Sequence, residues 1–318
     1  MLVLIVRRLI LAALTLVLTS IIATIVVQAL PGDACTAYLG RYIEPGALAQ
    51  CRGQLGLDHP LAERYLDWVA GLARGDLGMS LSTRRPAIEL IGPRVQNSFL
   101  LGGVSALIGL PLAVGLGVLA ATRRDRLADL LASGLSMAAM AMPEFVTGTL
   151  LIFVFAIWLG LLPAVTLVSS NATVMDLLPY IILPVLTLVV VLIAHILRVT
   201  RANVIDQLES EHAEFARLRG VGGWRLLWRH VLPGALPATI NLCALTLAWL
   251  LCGVVVVERV FNYPGLGTLM IEAISNRDLP VVLEATMVFA GTYILANLAA
   301  DLATIALDPR LRRSGSGW

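Results

Sequence analysis

Long apolar runs alternate with short polar connections along this chain. A membrane-crossing helix needs about 20 predominantly apolar residues. Six segments meet that length, at residues 9–30, 99–121, 130–162, 180–197, 236–257 and 281–307. The third and sixth are longer than one crossing requires, so they predict tilt, an interfacial extension or a kink at Pro143. The pattern therefore predicts an all-α integral membrane protein with six transmembrane helices.

The same pattern divides the chain into four stretches. Residues 1–30 hold the first transmembrane helix, 31–98 form a polar region, 99–307 hold a five-helix core, and 308–318 form a tail. Arg7 and Arg8 before an apolar run are also typical of a secretory signal. The run at 9–30 exceeds the roughly 7–15 residues of a signal core, so we expect a retained helix.

Within the core, a polar, arginine-rich elbow at residues 201–235 interrupts the apolar pattern. Leu208, Phe215 and Leu218 share one face of a predicted short helix, and Gly220 ends that helix. An apolar stripe at helical spacing follows, made of Trp224, Leu227, Trp228 and Val231. Helices this short cannot bury a core of their own, so we expect the elbow to dock onto another surface.

Composition and charge placement add an orientation. The chain is 58% hydrophobic and 14% charged, which is typical of integral membrane proteins. With the N-terminus inside, the inner side collects Arg7, Arg8, Arg123, Arg124, Arg126, Arg198, Arg201, Arg217, Arg219, Arg225, Arg229, Arg310, Arg312 and Arg313. The short outer loops hold only Arg259 and Arg277. The positive-inside rule therefore predicts cytoplasmic N and C termini, a cytoplasmic elbow and an extracytoplasmic region at 31–98.

Two of the four cysteines, Cys35 and Cys51, lie in the predicted extracytoplasmic region. An oxidising compartment lets them pair, and closing such a loop contributes roughly 3 kcal/mol. Independent packing thiols are the alternative. Cys243 and Cys252 lie in the fifth span and read as small packing residues.

Apolar residues at helical spacing also predict an amphipathic helix at residues 61–72 of this region. Its apolar face consists of Leu61, Tyr65, Trp68, Val69 and Leu72. The helix either rests on the outer leaflet or packs within a small soluble subdomain.

Catalytic and metal-binding patterns are missing from the sequence. All 23 basic residues are arginine, so the chain has no lysine for a G-x-x-x-x-G-K-[ST] phosphate loop. It has no H-E-x-x-H or G-x-S-x-G motif, and no closely spaced cysteine pair for zinc. We therefore predict neither catalytic residues nor a metal site.

Four of the polar residues inside predicted spans are candidates for a functional or structural role. Glu144 and His195 are isolated candidates for intramembrane chemistry, with hydrogen bonding to a neighbouring helix as the alternative. Asn297 and Asp301, four residues apart in the last span, predict hydrogen bonds between helices. An intramembrane acid such as Asp301 also suits a solute pathway.

The elbow resembles the coupling loop in the membrane subunits of bacterial ABC importers. The motif of that loop reads E-A-A, three residues, G, nine residues, I, one residue and L-P. The chain keeps this spacing with Glu214, Phe215, Ala216, Gly220, His230, Val231, Leu232 and Pro233. Phe215 replaces the second-position alanine, and His230 replaces the isoleucine.

Further stretches narrow the resemblance to the dipeptide/oligopeptide/nickel family, and within it to the permease with the larger first periplasmic loop. They are LPGD at 30–33, RGDLG at 74–78, Ser80, VERVF at 257–261, PGLG at 264–267, EAI at 272–274, Arg277, Asp278, Pro280, Asn297, Asp301 and DPR at 308–310. They occur in order over nearly the whole chain.

The resemblance implies a multi-pass subunit of the bacterial inner membrane and half of a heterodimeric pore. A second homologous permease, two cytoplasmic ABC ATPase subunits and a periplasmic solute-binding protein complete the importer. ATP and Mg belong to the ATPase subunits, and this chain needs no cofactor of its own. The missing lysine agrees with an energy source on a separate polypeptide.

Site residues follow from the same resemblance. It assigns ATPase coupling to Glu214, Phe215, Ala216, Arg219, Gly220, Leu232 and Pro233. Glu214 suits a capping or ion-pairing role. Ala216 suits the role of a small contact residue, and Gly220 suits the turn. Pro264, Gly265 and Gly267 suit a periplasmic gate or a docking surface for the binding protein, with a simple tight turn as the alternative.

Three functions stay open. The first is an importer permease for short peptides, working by alternating access. The second is the same machine carrying nickel chelates, opines or oligosaccharides. The third is a secondary transporter or channel that works alone, which needs coupling charges or inverted repeats in the spans. The sequence offers few such charges and no convincing repeat.

Overall fold

The computed structural model describes residues 2–39 and 45–307, so the predicted tail at 308–318 lies outside the described residues. Within these ranges the chain is helical, with one isolated bridge between Met79 and Pro86. The helices are α1 (Leu2–Ala29), α2 (Ala34–Leu39), α3 (Pro45–Gln54), α4 (Leu61–Ala73), α5 (Ala87–Thr122), α6 (Leu127–Ala141), α7 (Glu144–Leu151), α8 (Val174–Leu208), α9 (Glu211–Leu218), α10 (Gly223–Leu226), α11 (Leu232–Gly253), α12 (Val255–Val260), α13 (Leu266–Ser275) and α14 (Leu279–Leu307). Two π-helical stretches occupy Ile152–Trp158 and Leu227–Val231.

Among the described residues, five helices are long and apolar enough to cross a membrane. They are Ile10–Ala29, Ala87–Thr122, Val174–Leu208, Gly223–Leu247 and Leu279–Ala299. Each overlaps a segment that the hydrophobic pattern predicts. The number of candidate spans is five, or six if the bent pair α6 and α7 counts as one.

The predicted kink at Pro143 is a sharp break. Helix α6 ends before Met142 and Pro143, both of which have extended backbone angles, and the two flanking helices are bent by 109°. Proline lacks an N–H and restricts the residue before it, so the helix cannot run through this point. The third apolar segment, which is longer than one crossing requires, is therefore divided between α6 and α7.

The chain divides into two compact units. The first contains residues 1–99, 167–173 and 264–292. Its core joins the end of α1, the start of α5, α13 and the start of α14, through buried residues that include Val27, Ile91, Leu266 and Leu283. Burial of these side chains stabilises the unit.

Helix α4 belongs to this first unit and is not part of a separate soluble subdomain. Its Tyr65 hydroxyl lies 2.7 Å from the Ser20 hydroxyl of α1, and Trp68 packs against the unit's core. Leu66 is 63% exposed, and Val69 and Leu72 are also exposed. The helix therefore rests along a membrane-spanning helix, with an apolar side that remains uncovered.

A disulfide joins Cys35 of α2 to Cys51 of α3, so the structure has the paired cysteines and not the independent thiols. Beside it, Arg52 Nε donates to Asp33 Oδ2 at 2.6 Å. Partial burial acts to raise the pKa of the Asp33 carboxyl. Hydrogen bonds from Thr36 and Arg52 outweigh this and leave the pKa below its usual value.

The second unit contains residues 100–166 and 174–263 and the described residues from 293 to 307, and α8 lies at its centre. Helices α6, α7 and α11 all pack against α8. Close packing between α5 and α8 depends on glycine: a Cβ built on Gly117 would lie 2.6 Å from Thr200 Cβ and 2.9 Å from the Leu197 carbonyl oxygen. A Cβ on Gly109 would meet Leu192 in the same way, at 2.6 Å.

Candidate functional site

The elbow begins where α8 ends. Ser210 caps α9: its hydroxyl oxygen accepts the Ala213 N–H at 3.4 Å and its hydroxyl donates to the Gln207 carbonyl at 2.7 Å. A serine at this position satisfies N–H groups that the helix start leaves unpaired. The cap is therefore Ser210, and the capping role that we considered for Glu214 is not observed. The Glu214 side chain is exposed.

Helix α9 has a buried face and an exposed face. Ala213 is fully buried and Ala216 is 6% exposed, whereas Phe215 is 63% exposed and Leu218 is 77% exposed. The predicted shared face of Leu208, Phe215 and Leu218 is wrong, because Leu208 packs against the elbow's core while the other two do not. The helical period does not continue through the break at Ser210, and so Leu208 belongs to α8.

Gly220 ends α9 in a Schellman motif. The Gly220 N–H donates to the Arg217 carbonyl at 2.9 Å, and the Val221 N–H donates to the Ala216 carbonyl at 3.1 Å. Gly220 has φ +81°, a left-handed conformation that glycine adopts without steric cost. The turn assigned to Gly220 from the sequence is confirmed.

The second half of the elbow also has two faces. Leu227 and Val231 are buried, whereas Trp224 is 71% exposed and Trp228 is 55% exposed. The predicted single stripe of these four residues is wrong, because α10 passes into the π-helix Leu227–Val231, whose hydrogen bonds skip one residue more than those of an α-helix. The ring centroids of the two tryptophans lie 5.3 Å apart.

These residues form two surfaces that we name. The elbow patch consists of the exposed side chains Phe215, Leu218, Trp224 and Trp228. The elbow wedge consists of the buried side chains Ala213, Ala216, Leu226, Leu227, Val231 and Leu232, which pack with Ala121 of α5 and Val204 of α8. Arg219 is exposed directly after α9, and Pro233 is exposed in the first turn of α11. The wedge fixes the elbow to the membrane-spanning helices and leaves the patch open.

Two ion pairs lie near the end of α8, where the elbow begins. Arg201 of α8 forms a bidentate ion pair, or fork, with Asp129 of α6. Its Nε donates to Oδ1 at 2.5 Å and its Nη2 donates to Oδ2 at 2.7 Å. Arg124 pairs with Glu209 close by. Asp129 is 2% exposed, and a buried fork of this kind holds a precise geometry. This ion pair therefore joins the end of α8 to α6.

Comparison with known families and proteins agrees with this architecture. The family described as binding-protein-dependent transport system inner membrane component matches residues 113–313, and the family of its N-terminal component matches residues 1–88. The chain belongs to this family. It is a multi-pass inner-membrane permease subunit of the ABC transporter type.

Curated relatives cover almost the full length of the permease. A probable peptide ABC transporter permease of Sinorhizobium fredii is 32% identical over 97% of this chain and 98% of its own. A glutathione transport system permease of Escherichia coli strain K12 is 33% identical over 94% of this chain and 95% of its own.

Among solved structures, a chain in the crystal structure of an amino acid ABC transporter with histidines matches the permease. The match has a TM-score of 0.52 and 14% identity, and it covers 75% of this chain and 98% of that chain. At this identity the likeness concerns the fold alone.

The turn at 264–267 is buried in the permease. Pro264, Gly265 and Gly267 have little exposure. Asn97 of α5 donates to the Pro264 carbonyl at 2.9 Å, and the Leu266 N–H donates to the Ser98 hydroxyl at 2.8 Å. The turn is therefore packed inside the first unit, and its role as a docking surface for the binding protein stays a prediction. Whether the turn moves as a gate stays a prediction.

The polar contacts of the last predicted span differ from the interhelical hydrogen bonds that the sequence predicts. The Asn297 amide donates to the Tyr293 carbonyl of its own helix at 2.9 Å, and so the bond is not the interhelical one that we predicted. A polar side chain four residues after a carbonyl in one helix reaches that carbonyl readily. The Asp301 side chain lies outside what the structure describes.

Sequence reasoning missed the anchor that Asp278 provides. This buried carboxylate accepts hydrogen bonds from the Ser80 hydroxyl at 2.5 Å and the Ser82 hydroxyl at 2.8 Å, and from the Leu81 and Ser82 N–H groups. The sequence did single out both residues, because Ser80 and Asp278 are each among the positions that resemble the family. Because these stretches are nearly two hundred residues apart, only the fold brings them together.

Proposed function

We propose that this permease forms half of a heterodimeric pore in an ATP-driven importer of short peptides. The observation that carries the proposal is the two-sided elbow: a wedge buried against the spans below an exposed patch of Phe215, Leu218, Trp224 and Trp228. Contiguous exposed aromatic and aliphatic side chains on a protein surface are typical of a partner interface. The partner is a cytoplasmic ATPase subunit.

The arginine distribution supports the orientation that this requires. Basic residues concentrate at the elbow and at the proposed inner ends of the spans, which supports a cytoplasmic location for the elbow and both termini. The disulfide between Cys35 and Cys51 supports a periplasmic location for residues 31–98, because disulfides persist in oxidising compartments.

In this mechanism the elbow couples the motion of the ATPase subunits to the membrane-spanning helices. The partner ATPase subunits bind ATP and Mg, and their closure displaces the patch. The wedge carries the displacement to α5 and α8, and the Arg201–Asp129 fork passes it on to α6. Alternating access is then a switch between two packings of the spans, each favoured by one nucleotide state of the ATPases.

The relatives support short peptides as the cargo. One is described as a probable peptide transporter permease and another as a glutathione transport system permease. A periplasmic solute-binding protein delivers the peptide, and a second homologous permease completes the pore.

Reconstitution into proteoliposomes tests the proposal. We expect uptake of labelled trialanine when this permease, the second permease, the ATPase subunits and the binding protein are all present with ATP. Omitting this chain abolishes uptake. Uptake by this chain alone, driven by an ion gradient, would contradict the proposal and favour a secondary transporter.

A further inference from the structure

The break between α6 and α7 opens into a cavity of about 460 Å³ in the second unit. Its lining includes Met140, Met142, Glu144 and Phe145 at the break, His195 of α8 and Trp249 of α11. The two polar residues that looked isolated in the sequence therefore share one cavity. Broken helices at membrane depth are tolerated where they line a cavity.

We propose that this cavity binds the primary ammonium group of the transported solute, with Glu144 as its counter-ion. The inference rests on the proposed function and deepens it, because it names the chemical group that the membrane-spanning unit recognises. A short peptide presents such a group at its free amino terminus.

Charge is the first argument. Glu144 and His195 are the titratable residues of the lining, and Glu144 is half-buried. Among the described residues it forms no salt bridge. A carboxylate in apolar surroundings is costly unless an opposite charge is present, and ionisable residues within spans usually mark a solute pathway.

The other lining side chains suit the same ligand. Trp249 and Phe145 offer aromatic faces, which attract an ammonium group. The His195 side chain offers a ring nitrogen as a hydrogen-bonding partner at the cavity wall. Met140 and Met142 are flexible and polarizable, so they adapt to the varied side chains of different peptides. The cavity volume lies within the about 300–1,000 Å³ of small-molecule sites.

Equilibrium binding to the assembled importer tests the proposal. The probes are trialanine amide, which carries one ammonium group, and N-acetyl-trialanine amide, which is neutral and differs at that group alone. Both are titrated by calorimetry against the two permeases and their ATPases in nanodiscs, without the binding protein. We expect the wild-type complex to bind trialanine amide at least tenfold more tightly.

The Glu144→Gln variant keeps the shape of the side chain and removes its charge. We expect it to bind both probes with the affinity that the wild type has for the neutral one. Glu63→Gln is the matched control, because Glu63 lies on the exposed side of α4, and it should keep the wild-type preference. Size-exclusion chromatography checks that each variant assembles.

Three results would overturn the inference: equal wild-type affinities for the two probes, a preference that survives Glu144→Gln, or no binding of either probe because the second permease fills the cavity. The first and third are read on the wild type, so they do not depend on the variant folding. In each case ATP-driven uptake of trialanine remains a separate measurement, and its success or failure decides the proposed function independently.

Discussion

At the scale of single residues, backbone conformation at the elbow separates positions that look alike in the sequence. Gly220 and Gly222 are two residues apart, and a Cβ added to either meets nothing within 4 Å. Gly220 has φ +81°, whereas Gly222 has φ −116°. Any effect of a larger residue at Gly220 therefore comes from its backbone, not from crowding.

We expect Gly220→Val to abolish ATP-coupled peptide uptake while the protein remains inserted in the membrane. A β-branched residue in the left-handed region costs about 1–2 kcal/mol, enough to open the Schellman turn and displace the elbow patch. The measurement is uptake together with membrane abundance. Gly222→Val is the control and should retain uptake; wild-type uptake by Gly220→Val would remove this turn from the mechanism.

Glu214 gives a second prediction at this scale. Its exposed carboxylate is free to pair with a basic residue of the ATPase, so Glu214→Ala should weaken ATPase association by up to about fivefold. That factor corresponds to the roughly 0.2–1 kcal/mol of an exposed ion pair. Co-purification at graded salt measures it. Glu211→Ala, on an equally exposed neighbour, should have no effect, and undiminished association of Glu214→Ala would contradict the role.

At the scale of elements, helix packing in the second unit depends on which glycines face α8. Gly117 of α5 lies against Thr200 and Leu197, whereas Gly115, half a turn away, has no atom within 4 Å of an added Cβ. The sequence shows two similar glycines in an apolar run. Only the packed structure assigns one of them to the interface.

We expect Gly117→Ala to destabilise the permease by about 1–3 kcal/mol, because its methyl group forces α5 away from the α8 backbone. Gly115→Ala should be neutral or stabilising by roughly 0.5–1 kcal/mol, as alanine is the better helix former. Thermal unfolding of the two variants in detergent measures both. Equal melting temperatures would show that α5 and α8 do not pack as closely as described.

At the scale of the whole molecule, the orientation in the membrane decides which surfaces meet which partners. The proposal places residues 31–98 in the periplasm and the elbow in the cytoplasm. Both regions offer exposed positions for labelling: Met79 is 51% exposed and Leu218 is 77% exposed.

We expect Met79→Cys to react with a membrane-impermeant maleimide in intact spheroplasts. Leu218→Cys should react only after permeabilisation. Both substitutions are made with Cys243 and Cys252 replaced by alanine and with the native disulfide kept. Arginine asymmetry is the physical reason for the expected sidedness. The reverse labelling pattern would invert the orientation and remove the elbow from the reach of a cytoplasmic ATPase.

The sequence by itself determined the features that depend on local terms. Apolar length located the spans, proline located the break at Pro143, and the elbow spacing with Gly220 located the turn and pointed to the family. Each depends on a property of a short stretch of sequence. A span needs enough apolar residues to match the bilayer thickness, proline lacks a backbone N–H, and glycine adopts a left-handed backbone without steric cost.

The tertiary structure alone decided which residues meet. It buried the turn at 264–267, divided the elbow into a wedge and a patch, and placed Glu144 and His195 around one cavity. Helical periodicity is lost at the Ser210 cap and in the π-helix, so the exposed face of the elbow was not readable from spacing. Contacts between distant segments depend on how whole helices pack, and no local pattern carries that information.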